Sequence, residues 1–400
     1  MKILRNINNN ERFLDLSIAE MLNKYMDENN LNEYSLATLL SINRKTLKSI
    51  LSGEDFKFSY GLRISALLNI SDDNLIKGFV KQLENEDLNN INIIKKASYI
   101  IDNFDLQELK SSKIISNTTN YLVIEKEICS FLGIKDIIEY SSMPIKNPLF
   151  SKSNIRVRPS KEKKMQDFWI KTNLLSFTKI ANPNHYDRDL LIEFLKRIKS
   201  FTTNLEDGFA QAQFVLYKIG ITTIVQSYLS KTKAYGVSML VNDKPCIVIT
   251  DMGKQYYKLW LTLLHELYHI LEDYEYLKTT SYHISDIENR DLFLSEESAD
   301  AFAREIFVPN DKIEILNQII NNPIKVQNLA TKLGIHKSML YGIYLDNLNK
   351  NVQSKEFAKY RSELPKSSKA IKNIVFDTIG LKSVDEAVKQ LKNNLNILTA

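Results

Sequence analysis

His265, Glu266 and His269 form an HExxH pattern inside the apolar run Leu263-Leu264-His265-Glu266-Leu267-Tyr268-His269-Ile270-Leu271. On a helix, residues four apart share a face, so both imidazoles point the same way and one divalent cation can sit between them. Glu266 lies beside His265 and can take a proton from a water at that cation. This is the arrangement of metal-assisted hydrolysis. The chain has only five histidines, and two of them fall here. The plain alternative is a core helix that carries two histidines for no chemical purpose. Leu263, Leu264, Leu267 and Ile270 around them argue against it, because unpaired imidazoles are costly to bury.

A second cluster lies downstream, in Ser295-Glu296-Glu297-Ser298-Ala299-Asp300-Ala301-Phe302-Ala303-Arg304-Glu305-Ile306-Phe307-Val308-Pro309. Ala299, Phe302, Ala303, Ile306 and Phe307 have helical spacing, and Pro309 ends the helix. A catalytic zinc takes three protein ligands and keeps one position open. Glu296 is the candidate third ligand. Asp300, four residues on, can accept the outer N–H of a ligand histidine and fix its tautomer. An acidic helix start is also ordinary on its own, because carboxylates favour the first turn. Glu297 is a rival ligand that spacing alone hardly separates from Glu296.

These two segments resemble the ImmA/IrrE metallo-endopeptidases. The resemblance rests on Trp260-Leu261-Thr262-Leu263-Leu264-His265-Glu266-Leu267-Tyr268-His269, on Glu296-x-x-Ala299-Asp300-x-Phe302-Ala303, and on Val308-Pro309. Family helices read FTLxHExGH and ExxANxFAxxLLxP. The resemblance implies that His265, His269 and Glu296 bind the metal and that Glu266 is the general base. It also favours Glu296 over Glu297. Tyr268 stands where the family usually has Gly, adding bulk beside the site, and Asp300 stands where Asn is common. Zinc is the expected ion, and manganese or iron suits a similar site.

The β-branched stretch 221–225 reads as a strand, and 235–241 and 245–250 flank an Asn242-Asp243 turn. A small antiparallel sheet packed on the HExxH helix is expected. Its edge strand would be able to pair with an extended peptide, although a purely structural sheet is an equal alternative.

The N-terminal part suggests a second activity. Residues 34–53 read as helix, tight turn, helix: Ser35 as the cap, Leu36, Ala37, Leu39 and Leu40 facing a core, 41–43 as the turn, and Gly53 ending the second helix. Over about residues 15–75 this resembles the helix-turn-helix of XRE-type repressors. In such modules the second helix enters the major groove, which would bring Asn43, Arg44, Lys45 and Lys48 to double-stranded DNA. The alternative is a helical protein-interaction domain with a solvated basic face. A net charge of +5 permits nucleic-acid binding without requiring it.

The expected fold is therefore mainly α, of the α+β class. It comprises a helix-turn-helix bundle over residues 11–80, a helical connecting region over 85–155, a zincin-like metallopeptidase domain over 160–350 with its small antiparallel sheet, and a helical, charged tail over 355–400. The basic stretch 156–164 reads as a linker, followed by a helix from Met165. Residues 326–341 repeat helix-turn-helix spacing around Gly334 and read as a buttress for the catalytic helices. Cys129 and Cys246, the only cysteines, lie far apart; a cytoplasmic protein without disulfides or membrane spans is expected. His185, His283 and His336 are isolated and assigned no ligand role, with His283 kept as a minor candidate for polarising a substrate carbonyl.

Two functions follow. The first is a metal-dependent endopeptidase joined to a DNA-binding module, which the resemblance implies would cleave a repressor or another regulatory protein. The second is an XRE-type regulator or toxin–antitoxin component with little or no proteolysis.

Overall fold

The computed structural model of the chain describes residues 13, 15–143, 159–226, 228–229, 231–232, 234–280, 282–286, 296–372, 374 and 383–397; at 280, 282–286, 350–351 and 394–397 only the backbone is described. The chain divides into two compact units, residues 1–96 and 97–400. The helix Asn85–Asn103 runs through the division.

In the first unit the helices Ile18–Asn29, Glu33–Leu39, Arg44–Leu51, Phe58–Leu68 and Asp72–Gln82 enclose a core that includes Ile18, Leu22, Leu36, Leu47, Ile50 and Ile64. Gly78 lets the last of them approach the first closely, because a Cβ there would lie 2.8 Å from Ile18 Cδ1. The helix-turn-helix spacing is realised with two corrections. Asn32, not Ser35, caps the first helix: its side chain accepts from the Ser35 N–H at 2.9 Å. Asn is as good a cap as Ser, and it stands three residues earlier, where the chain is still extended. Leu39 points outward and is 56% exposed, while Leu36, Ala37 and Leu40 are buried. Arg63, in the fourth helix, donates to the carbonyls of Leu40 and Ser41 at 3.1 and 2.9 Å and holds the turn.

The second unit is built on a four-stranded sheet: β1 Thr222–Gln226, β2 Ala234–Val241, β3 Lys244–Thr250 and β4 Tyr282–Asp286, in the order β1-β3-β2-β4. β2 and β3 form the expected hairpin, turning at Asn242 and Asp243 with φ of 52° and 60°, the left-handed pair that a two-residue hairpin needs. The sheet is mixed rather than antiparallel, because β1 runs parallel to β3. The physical reason is burial on both faces. Val225, Ile247 and Ile249 enter one core, while Ile224, Cys246 and Val248 enter another. Continuous apolar strands of this kind accept parallel pairing between two covering layers.

One layer holds the HExxH helix, Tyr256–Glu272, which is buried nearly all round. The other holds Tyr121–Leu132 and Lys161–Ile180. The former ends at Gly133, whose φ of 70° is the left-handed conformation that glycine takes at a helix end. The latter starts at Lys161 under a Ser160 cap, four residues before the expected Met165. Residues 156–158 of the expected linker lie outside the described residues. The tail helix Val384–Ile397 contributes Val384, Ala387, Val388 and Leu391 to this second core. Cys129 and Cys246 are buried and not joined in a disulfide.

The C-terminal helix-turn-helix spacing forms Pro323–Leu333 and Lys337–Asp346, joined at Gly334 with φ of 68°. Its second helix is buried from Ser338 through Ile343, so it offers no face to a DNA groove. It crosses the start of the HExxH helix at Gly342, where a Cβ would overlap the Tyr257 ring. Asp346 accepts from Tyr257 Oη at 3.2 Å and Lys258 Nζ at 2.7 Å. The segment braces the HExxH helix. Among the described residues no helix is long and apolar enough to cross a membrane.

Candidate metal centre

The HExxH helix forms because its apolar positions meet neighbours on every side, and its polar triad falls where a second helix crosses it. That second helix, Glu296–Phe307, buries Ala299, Ala303 and Phe307. The small side chains at four-residue spacing bring its backbone close. Extended backward, the same stripe places Glu296 against the two histidines.

The Nε2 atoms of His265 and His269 lie 3.2 Å apart. Glu296 spans them, with Oε2 3.3 Å from His265 Nε2 and Oε1 3.3 Å from His269 Nε2. All three ligand atoms fall within 4.8 Å of one another. The outer nitrogens are held as well: His265 Nδ1 lies 2.9 Å from Asp300 Oδ1, and His269 Nδ1 lies 2.8 Å from Asp273 Oδ2. Carboxylates on both outer nitrogens keep both Nε2 atoms directed inward. Asp300 thus sits where the spacing predicts. Asp273 was not anticipated, although it stands four residues after His269. Glu297 is exposed and outside the cluster.

Glu266 is fully buried. Its Oε2 accepts a 2.6 Å hydrogen bond from Ser238 Oγ on β2, while its Oε1 is buried with no hydrogen-bond partner among the described residues. Gly236, two residues before Ser238, faces the same carboxylate. A Cβ there would lie 2.8 Å from Glu266 Cδ and closer still to Oε1. Neither Gly236 nor Ser238 was anticipated. Tyr268 is half-buried, with its ring 5.4 Å from that of Phe302 and 5.8 Å from that of His269, so its bulk seats on the helix–helix seam. His336 caps its own helix by accepting from Ser338 N at 3.2 Å. The side chain of His283 lies outside the described residues.

Burial favours the neutral form of His265, but its bonds to Asp300 and Glu296, with the Glu266 charge nearby, outweigh burial and push its pKa up to about 10. His269 moves upward in the same way: burial opposes the shift, and its bonds to Asp273 and Glu296 prevail. Asp300 is held below the usual carboxylate range: burial opposes this, and its bond to His265 overcomes burial.

The donor set fits a divalent metal. Two imidazoles and one carboxylate converge, both imidazoles are oriented from behind, and on the same helix a buried Glu266 oxygen has no hydrogen-bond partner among the described residues. Because the bonds to Asp300 and Glu296 favour the protonated form of His265, binding of an ion at Nε2 would displace protons, and its affinity would rise with pH. Calorimetric zinc titrations in buffers of different ionisation enthalpy should show release of at least about one proton per ion at pH 7. A buffer-independent enthalpy would contradict this.

The basic residues of the first unit are placed differently. Asn43 caps its helix, accepting from Thr46 N at 2.7 Å. Arg44 and Lys48 reach Glu33, at 3.1 and 3.9 Å, and remain mostly exposed. Lys45 is exposed.

No protein-family model matches the chain, and neither the curated proteins nor the solved structures contain a match.

Proposed function

We propose that the chain is a metal-dependent endopeptidase whose N-terminal unit binds double-stranded DNA. One observation carries the peptidase reading: His265, His269 and Glu296, from two separate helices, converge with all ligand atoms within 4.8 Å, and the neighbouring Glu266 carboxylate is buried with one oxygen that has no hydrogen-bond partner among the described residues. His265, His269 and Glu296 would hold the ion, zinc first and manganese or iron as alternatives. A divalent ion there would polarise a peptide carbonyl and make a water acidic enough to attack it. Glu266 Oε1 is the proton acceptor, and Glu266 later returns the proton to the leaving amine. Asp300 and Asp273 hold the imidazoles in the tautomer that leaves Nε2 available. The likeness to ImmA/IrrE proteins suggests a repressor or other regulatory protein as the substrate.

A peptide library made from a digested proteome tests this whatever the native substrate is. The zinc-loaded chain should generate new N-termini with a shared sequence preference; a chelator should stop it, and added zinc should restore it. Absence of new termini from the loaded chain would overturn the peptidase reading and favour the regulator.

The DNA reading rests on the exposed Arg44, Lys45 and Lys48 at the start of the second helix. Glu33 neutralises part of that charge. Arg44→Ala combined with Lys48→Ala is expected to weaken binding to random duplex several-fold and to flatten its salt dependence by about two phosphate contacts. Unchanged fluorescence anisotropy titrations would make the unit a protein-interaction module.

A further inference from the structure

The strand beside the catalytic helix carries two residues shaped around the general base. β2 alternates: Val237 and Met239 enter the far core, while Gly236 and Ser238 face Glu266. The Ser238 hydroxyl is fully buried, 2.6 Å from Glu266 Oε2 and 3.1 Å from the Glu266 carbonyl oxygen. A charge-assisted bond this short fixes the carboxylate in one rotamer. At Gly236 any side chain would displace the other oxygen. That oxygen, Oε1, is buried without a partner among the described residues. Such an atom is costly to maintain in a folded protein and calls for an explanation.

We propose that Ser238 is a positioning residue that pins Glu266 through Oε2, and that Gly236 supplies the space in which Oε1 stays free to accept the proton. This rests on the metallopeptidase reading. In the proton transfer, one water O–H bond breaks and one Oε1–H bond forms, while the Ser238 bond to Oε2 is kept throughout. A strand donor thus does for the base what Asp273 and Asp300 do for the histidines.

The test uses the full chain loaded with cobalt(II) and titrated with acetohydroxamate, followed by the cobalt absorption bands. A hydroxamate that binds a metal passes its hydroxyl proton to a neighbouring carboxylate, so its affinity reports on Glu266 without any peptide substrate. Ser238→Ala should take up cobalt as the wild type does and lose acetohydroxamate affinity about tenfold. Ser238→Thr, which keeps the hydroxyl, should restore it, and Gly236→Ala should lose it with cobalt retained. Equal affinity in Ser238→Ala and wild type would overturn the proposal. Loss of cobalt in Ser238→Ala, or failure of Thr to restore affinity, would assign Ser238 to packing and overturn it as well. A wild type that takes up no cobalt would instead remove the metallopeptidase reading, and this inference with it.

Discussion

Glu266→Gln should slow cleavage of the peptide library by about 10²–10⁴-fold while leaving metal content unchanged, the range expected when a general base is removed. The two side chains have the same shape. The amide oxygen of Gln can still accept from Ser238 Oγ, which lies 2.6 Å from Oε2 in the native chain. What changes is the other atom: the free Oε1 becomes an NH₂ that cannot take a proton. Because Glu266 is not among the three converging side chains, the ion should stay. The rate of new N-termini, read beside metal content by emission spectrometry, separates the two effects. A variant that cleaves at the wild-type rate would remove Glu266 from the mechanism.

The second large effect distinguishes adjacent carboxylates. Glu296→Ala should lower zinc affinity by at least about a hundredfold, whereas Glu297→Ala should stay within about threefold of wild type. The Glu296 carboxylate lies 3.3 Å from both Nε2 atoms; the Glu297 side chain faces solvent. Competition against a chromophoric chelator measures both. Equal losses in the two variants, or a larger loss at Glu297, would reverse the assignment.

The histidine pair was legible because helical geometry alone sets it: four residues make one turn, whatever the tertiary context. The choice between Glu296 and Glu297 also had a signal. Ala299, Ala303 and Phe307 form the buried stripe, and Glu296 continues it at positions three and seven before the alanines, while Glu297 does not. Asp273 was open to the same four-residue argument, applied from His269. Ser238 and Gly236 were harder, because their role is an approach across two elements that only tertiary packing creates. A glycine inside a strand-like run does hint that something comes close. The parallel pairing of β1 with β3 was not legible, because β-branched composition marks a strand without setting its direction, and both faces of the sheet are covered. The capping side chain of Asn43 shows the opposite limit: a residue expected at a DNA groove engages the backbone N–H of Thr46 at the start of its own helix.

Elemental analysis of the purified chain beside its His265→Ala variant decides whether His265, His269 and Glu296 hold a metal ion. About one zinc, or one manganese or iron, is expected per wild-type chain and less than about a tenth of that in the variant. A wild-type chain that stays metal-free when these ions are supplied, or a His265→Ala chain that holds as much metal as the wild type, would contradict it.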